Sequence, residues 1–105
     1  GLAFKENCPD LRNTKVVDII NGFREYHIQA DVYDPWVSDV MAEEEFNIPL
    51  VNTLEEGSYD AILLAVAHDE FKDMGVAKIR ALGKASHVLY DLKYLFPQHE
   101  TDMRL

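Results

Sequence analysis

The spacing of apolar residues in the first half of the chain predicts two helices. Between residues 16 and 23 they recur at i, i+3, i+4 and i+7, the stripe of an amphipathic helix that ends near Tyr26. Asn13 or Thr14 is the expected N-cap of this helix, because their side chains can accept hydrogen bonds from its first N–H groups. Ser38 is the expected cap of a second, short and acidic helix.

Three short segments in the same half have the apolar pattern of strands. Residues 2–4 resemble the end of a strand, and residues 49–51 are a brief apolar stretch. Ile28, Ala30 and Val32 alternate with polar residues, which predicts a half-buried strand that stops at Asp34-Pro35.

The second half continues the alternation of strands and helices. Residues 61–66 are continuously apolar, which is typical of a strand covered on both faces at the centre of a parallel sheet. A helical segment broken at Gly75 is expected over residues 69–82, followed by a last strand over residues 87–90. The tail from Leu95 lacks periodicity and is expected to pack on the sheet edge or to fray.

Together these elements predict a single α/β domain with a Rossmann-like, doubly wound parallel sheet. We expect about five strands in the order 3-2-1-4-5, in three α/β/α layers, over all 105 residues. The chain lacks Met at position 1 and its first residues resemble the middle of a strand, so we expect a fragment of a larger protein.

Composition and charge narrow the function classes. Ten Lys and Arg against 19 Asp and Glu give a net charge of −9, which argues against binding to nucleic acid or to an anionic membrane surface. The single cysteine, Cys8, excludes an internal disulfide. With neither a secretion signal nor a membrane span in these residues, a cytoplasmic location is expected.

The predicted topology indicates where a ligand would bind. In open α/β sheets the site lies beyond the carboxyl ends of the strands, where Lys5, Arg12 and Lys93 are expected. These cations and the N-terminus of the first helix would suit a phosphate or diphosphate. The alternative is that they are ordinary solvated loop cations, balanced by nearby acids: Glu6, Asp10 and Asp91.

Other chemistry-bearing residues have plainer interpretations. Cys8 lies between two cations that favour a thiolate but has no base close in sequence, so we expect a structural role. His68 is either a base or a partner of nearby backbone, and Trp36 either stacks on a ligand or anchors its loop. Asp34 stands where a dinucleotide-binding unit has its ribose-binding acid, but the glycine fingerprint of that unit is missing. No metal site is expected, because the histidines lack ligand spacing.

Three segments resemble a known family. Residues 1–14 (GLAFKENCPDLRNT), 32–37 (VYDPWV) and 88–93 (VLYDLK) are similar, in order and spacing, to the C-terminal UDP-binding domain of the UDP-glucose/GDP-mannose dehydrogenase family. The first segment and the sequence YDLKY at residues 90–94 most resemble the branch that acts on UDP-N-acetylhexosamines, such as UDP-N-acetylglucosamine or UDP-N-acetylgalactosamine. The resemblance covers the whole chain.

The resemblance implies a function and a set of site residues. Family enzymes oxidise the 6-hydroxymethyl group of a nucleotide sugar to a carboxylate with two NAD, through an intermediate on a cysteine in a GGHC segment that this chain lacks. Phe4 and Lys5 match the family pair that contacts the UDP-sugar, and Arg12 matches an arginine that reaches NAD. Lys93 stands where many members have an arginine for the nucleotide, which keeps the charge but loses the guanidinium fork.

The chain is therefore expected to be the nucleotide-sugar-binding part of a homo-oligomeric enzyme of polysaccharide-precursor synthesis. The NAD-binding and central catalytic domains would lie elsewhere, so the 105 residues alone are expected to be inactive. One alternative is a free-standing regulatory or binding module without catalysis. Another is a scaffold whose acidic run at residues 43–45 meets a partner, although such a run is commonly a solvated helix face.

Overall fold

A computed structural model of the chain describes residues 1–104. Their contacts group into two compact units: an N-terminal unit, Gly1–Asn52, and a C-terminal unit, Thr53–Leu105. Within residues 1–104, no helix is both long enough and apolar enough to cross a membrane.

The N-terminal unit contains the two predicted helices. Helix α1 spans Val16–Glu25 and helix α2 spans Asp39–Phe46. The cap of α1 differs from the prediction, because Lys15 occupies the N-cap position without a side-chain hydrogen bond. Thr14 still contributes, since its Oγ1 accepts a hydrogen bond from the Val16 N–H at 3.3 Å.

Helix α2 begins and ends on residues suited to those positions. The Ser38 hydroxyl accepts a hydrogen bond from the Met41 N–H at 3.1 Å, which confirms the predicted cap. The C-cap residue after Phe46 is Asn47, whose φ of 54° is the left-handed conformation that asparagine tolerates better than most residues.

The apolar core of the N-terminal unit comes from its helices and from the segments between them. The Leu2 side chain is fully buried, and Ile20 is the buried residue of α1. The buried cluster consists of Leu2, Ala3, Leu11, Ile20, Val32, Val37, Ala42 and Ile48. Hydrophobic burial therefore stabilises this unit, although it contains little regular sheet.

The strands predicted in the N-terminal unit do not form a ladder. Residues 2–4 are not a strand, and the segments around Val32 and Leu50 share one isolated parallel bridge, with a hydrogen bond from the Val51 N–H to the Val32 carbonyl. For residues 2–4 the reason lies in the backbone groups of Leu2: its N–H donates to a carboxylate and its carbonyl accepts from the Thr14 hydroxyl. Side chains thus satisfy polar groups that a neighbouring strand would otherwise pair.

The C-terminal unit contains the sheet. Strand β1 (Tyr59–Leu64), helix α3 (Asp69–Ala81) and strand β2 (Gly83–Asp91) are followed by a 3₁₀ turn (Gln98–Glu100) and the short strand β3 (Met103–Arg104). The strands are parallel and in the order β1-β2-β3. An α/β fold with a parallel sheet is confirmed, but the described residues form three strands, not about five in the order 3-2-1-4-5. The tail packs on the sheet edge, as β3.

Strand β1 is not the doubly covered central strand that its apolar run predicts. It lies at one end of the described strand order, and Ala61 is exposed while Leu64 is buried. The core of this unit lies instead around Leu89 of β2, which packs with Leu64 and Ile79. The predicted break in α3 is confirmed, because Gly75 has φ 80° and ψ 157° inside the helix.

One arginine of α3 connects the helix to β2 and to the tail. The Arg80 guanidinium donates to the Glu100 carbonyl, to Asp102 Oδ2 at 3.1 Å and to His87 Nε2 at 3.1 Å. His87 Nδ1 lies 2.7 Å from the Lys84 carbonyl, so the proton of a neutral His87 is assigned to Nδ1. The short β3 is therefore attached to the unit by side chains as well as by its two ladder positions.

Candidate functional site

The candidate residues lie on two loops, one in each unit. Phe4, Lys5 and Arg12 are in the loop that follows the buried pair Leu2-Ala3. Lys93 follows the carboxyl end of β2, which is the end of a parallel strand where α/β proteins bind ligands.

The first loop has an exposed phenylalanine and an exposed lysine at successive positions. Phe4 is 51% exposed, which is unusual for a phenylalanine that follows two buried residues. Its N–H donates to the Asp10 carbonyl at 2.8 Å, so the loop closes on itself at this point. Within the described part of the chain, the exposed Lys5 side chain makes no ion pair or hydrogen bond, although its charge helps to lower the pKa of Asp10.

Arg12 is paired with an acid of the same loop. Its Nε and Nη2 donate to the two carboxylate oxygens of Asp10 at 3.1 and 3.0 Å, and its backbone N–H donates to Oδ1 at 2.8 Å. The hydrogen bonds from Arg12 lower the pKa of Asp10 below its ordinary 3.8. The Arg12 side chain is 85% exposed, so its other N–H donors face solvent. The pairing therefore agrees in part with the alternative that Arg12 is a solvated loop cation balanced by a nearby acid.

Asp34 is buried, and its carboxylate is used by the chain itself. Oδ2 accepts hydrogen bonds from the N–H groups of Leu2 at 2.7 Å and Ala3 at 2.9 Å, and Oδ1 accepts from the Trp36 N–H at 2.8 Å. A ribose-binding acid needs a carboxylate open to the ligand. Asp34 instead connects its own loop to the segment that precedes Phe4 and Lys5.

Asp91 has the same kind of environment at the end of β2. It is fully buried, and its oxygens accept hydrogen bonds from the N–H groups of Lys93 at 3.3 Å, Leu95 at 3.1 Å and Phe96 at 3.0 Å. The contact with Lys93 is to its backbone and not to its ammonium group. Asp91 therefore shapes the loop, and the Lys93 side chain remains exposed.

A polar cavity lies beside β3 and is lined by residues of the segment between β2 and β3 and of β3 itself. It has a volume of about 510 Å³. Its lining residues are Tyr94, Gln98, Thr101, Asp102, Met103 and Arg104. The Arg104 guanidinium stacks 4.0 Å above the centre of the Tyr94 ring, an arrangement that favours a cation over an aromatic face.

The burial and contacts of the other candidate residues from the sequence indicate structural roles or solvent exposure. His68 is fully buried at the start of α3, its ring packs against Phe71 at 5.4 Å between ring centres, and its side chain does not cap the helix. Cys8 is free and half-buried. The acidic run at residues 43–45 is exposed on α2, as a solvated helix face would be.

The sequence patterns did not predict the main role of Asp34 and Asp91. They indicated a possible ribose-binding acid at the first position and a balancing charge at the second. A signal was available: residues 32–34 (VYD) and 89–91 (LYD) share the order apolar, tyrosine, aspartate at the end of a predicted strand. An acid at that position can accept hydrogen bonds from the N–H groups of the loop that follows.

The geometry defines an α/β protein with a parallel sheet and exposed cations on loops organised by carboxylates. Comparison with known proteins specifies its family. The family model for the UDP-glucose/GDP-mannose dehydrogenase family, UDP binding domain, matches residues 1–98. The chain therefore belongs to this family, as its UDP-binding domain, which confirms the resemblance seen in the sequence.

Three curated relatives agree with this assignment. The chain is 63% identical over 105 residues to the UDP-N-acetyl-D-glucosamine 6-dehydrogenase of Pseudomonas aeruginosa and 46% identical over 105 residues to that of Salmonella typhi. It is 36% identical over 103 residues to Protein CapL of Staphylococcus aureus. These alignments cover 100%, 100% and 98% of this chain but 25%, 25% and 24% of the relatives. The chain thus spans about a quarter of their length.

Proposed function

We propose that this chain is the C-terminal, nucleotide-sugar-binding domain of an NAD-dependent UDP-N-acetylhexosamine 6-dehydrogenase. The proposal assigns Phe4, Lys5 and Lys93 to the UDP-sugar and Arg12 to NAD. The family match carries it, and two relatives named UDP-N-acetyl-D-glucosamine 6-dehydrogenase support the choice of substrate class.

The assigned contacts suit the chemistry of a nucleoside diphosphate. The exposed ammonium groups of Lys5 and Lys93 are point charges that attract phosphate oxygens. The half-exposed ring of Phe4, the residue before Lys5, offers an apolar surface. In a chain with a net charge of −9, exposed cations on loops that buried acids organise favour a binding role over general surface charge.

For NAD, the residues present fit a single contact and not a whole site. The first loop has no glycine-rich turn that would let the backbone approach a pyrophosphate closely. The exposed donors of Arg12 would suit one phosphate oxygen, with the pairing to Asp10 fixing the plane of the guanidinium group. NAD supplies the hydride acceptor when it is bound, and the role of this chain is to bind and orient.

The proposal extends to the whole protein. Its other domains would supply the NAD fold and the catalytic cysteine, and the assembly would be a cytoplasmic homo-oligomer that makes a uronic-acid precursor for polysaccharide. None of the 105 residues is assigned a catalytic role.

Titration of UDP into the purified 105-residue chain tests the binding assignment. We expect UDP to perturb the amide resonances of Phe4, Lys5 and Lys93 in NMR spectra. Lys5→Ala should weaken the affinity roughly tenfold to hundredfold, because a charged hydrogen bond is lost. The matched control is Lys84→Ala. Lys84 lies at the start of β2, away from the end that Lys93 follows, and its exposed ion pair with Asp60 contributes little to stability. Equal losses in the two variants would remove Lys5 from the site.

A second test concerns catalysis. We expect the 105 residues to produce no NADH from UDP-N-acetylglucosamine and NAD, since no cysteine of the required segment is present. Absorbance at the NADH band is the measurement. A rate that depends on both substrates and persists in Cys8→Ser would contradict the proposal that catalysis belongs to the other domains.

A further inference from the structure

Two buried aspartates lie directly beside the loops that carry the proposed UDP contacts. Asp34 is 5% exposed and Asp91 is not exposed at all. Buried carboxylates are uncommon, because removing a charge from water is costly unless hydrogen bonds replace the lost hydration. Here backbone N–H groups contribute to that replacement, three of them for each aspartate, and Asp34 also attracts the N-terminal ammonium group of Gly1.

The contacts of Asp34 fix the start of the first loop. Its Oδ2 accepts from two successive N–H groups, those of Leu2 and Ala3, so both peptide planes point toward one oxygen. Phe4 is the next residue, and its own N–H is bonded to the Asp10 carbonyl. Three successive N–H groups before Lys5 are therefore directed, which limits where the Lys5 side chain can project.

The contacts of Asp91 fix the second loop in the same way. The N–H groups it binds belong to residues on both sides of Tyr94, whose φ is 57°. A non-glycine residue in this left-handed conformation is unfavourable by itself and persists where surrounding bonds determine the backbone. Lys93 lies between Asp91 and this residue, so the direction of its side chain depends on the same carboxylate.

We propose that Asp34 and Asp91 are positioning residues for a nucleoside diphosphate, acting through backbone hydrogen bonds that direct Lys5 and Lys93. The inference rests on the proposed function, which supplies the ligand. It assigns two acids to an anion-binding site, although negative charges by themselves oppose the binding of an anion.

Substitution by asparagine separates positioning from charge. Asparagine has nearly the same shape as aspartate. Its NH₂ group, however, must face a backbone N–H from which the carboxylate accepts a hydrogen bond in the wild type, and two donors cannot bond to each other. If charge alone mattered, Asp34→Asn and Asp91→Asn would remove a negative charge and tighten UDP binding. Positioning predicts the opposite sign: weakening of about tenfold for each variant, measured by titration calorimetry where the variants are folded.

Double-mutant cycles separate positioning from a general structural role. In the background of Lys5→Ala, Asp34→Asn should have little further effect on the affinity for UDP, because the side chain through which it acts is already gone. The same holds for Asp91→Asn with Lys93→Ala. The control is the crossed pair, Asp34→Asn with Lys93→Ala, in which the two losses of affinity should add. Independent, additive losses in the matched pairs would overturn the proposal.

A measurement on the wild-type chain needs neither a variant nor a ligand. Backbone ¹⁵N relaxation should give order parameters near 0.85 for Lys5 and Lys93, the value of rigid backbone, although both residues are on exposed loops. Values below about 0.6 would show that the loops are not fixed, and the inference would be wrong. If both loops are rigid but Lys5→Ala binds UDP normally, the assignment of Lys5 to the ligand fails while the ordering of the loops by Asp34 and Asp91 stands.

Discussion

The two units satisfy their backbone polar groups in different ways. In the C-terminal unit a parallel ladder joins β1, β2 and β3, and side chains add to it. In the N-terminal unit, which has a single β-bridge among its described residues, the carboxylate of Asp34 and the hydroxyl of Thr14 bind backbone groups of Leu2 and Ala3. The order of the N-terminal unit therefore depends more heavily on a few individual side chains.

The largest expected effect comes from breaking that dependence. Asp34→Ala leaves three N–H groups without their acceptor, two of them on the buried residues Leu2 and Ala3. Because each unsatisfied buried group costs about 1–3 kcal/mol, we expect the free energy of unfolding to fall by about 3–5 kcal/mol. Urea denaturation measures the change. The exposed Glu44→Ala should stay within about 0.5 kcal/mol of wild type, and a similarly small loss for Asp34→Ala would remove the contrast between the units.

An effect of intermediate size is expected from a glycine substitution in the C-terminal unit. A Cβ at Gly83 would overlap the His87 ring, so Gly83→Ala must displace a side chain that bonds both Lys84 and Arg80. We expect a loss of about 1–3 kcal/mol in the free energy of unfolding.

The control for this substitution is in helix α1 of the other unit. A Cβ at Gly22 would meet no atom within 4 Å, so Gly22→Ala should stabilise the chain by about 0.5–1 kcal/mol through helix propensity. Thermal or urea unfolding of both variants gives opposite signs if the close approach at Gly83 is as described. Stabilisation by both would show that the His87 ring moves away at no cost.

The smallest expected effect is a dependence on pH. The pKa of Asp102 is lowered from its ordinary 3.8, first by the hydrogen bond from Arg80 and next by that from the Leu89 N–H. A carboxyl group with a lowered folded-state pKa contributes stability above its unfolded pKa and loses it as pH falls through the folded value. We therefore expect unfolding curves to show declining stability below about pH 4, and a shallower decline in Asp102→Asn. An identical slope in the variant would show that Asp102 is not among the groups responsible.

The contrast between the units also explains what the sequence could predict. Helical spacing identified α1 and α3, and the Ser38 cap and the Gly75 break followed from single residues whose preferences are local. Strands need a partner, and alternation does not encode one: Ile28 has the spacing of a half-buried strand residue but is 51% exposed. The predicted five-stranded sheet was wrong for the same reason.

For the site, residue types were predictable and their connections were not. Lys5, Arg12 and Lys93 could be identified as scarce cations after predicted strands, and the resemblance to a family identified Phe4. The pairing of Arg12 with Asp10 was foreseeable because the two are close in sequence. The link from Asp34 to Leu2 joins residues 32 positions apart, and no local preference predicts it.

The chain contains a single tryptophan, Trp36, and its backbone N–H is one of the groups bonded to Asp34. Its fluorescence is therefore an optical probe located entirely within the N-terminal unit, while far-ultraviolet circular dichroism receives signal from the helices and strands of both units. Coincident transitions by the two methods would show one cooperative unfolding step, and separate transitions would allow the stability of each unit to be followed without labelling the protein.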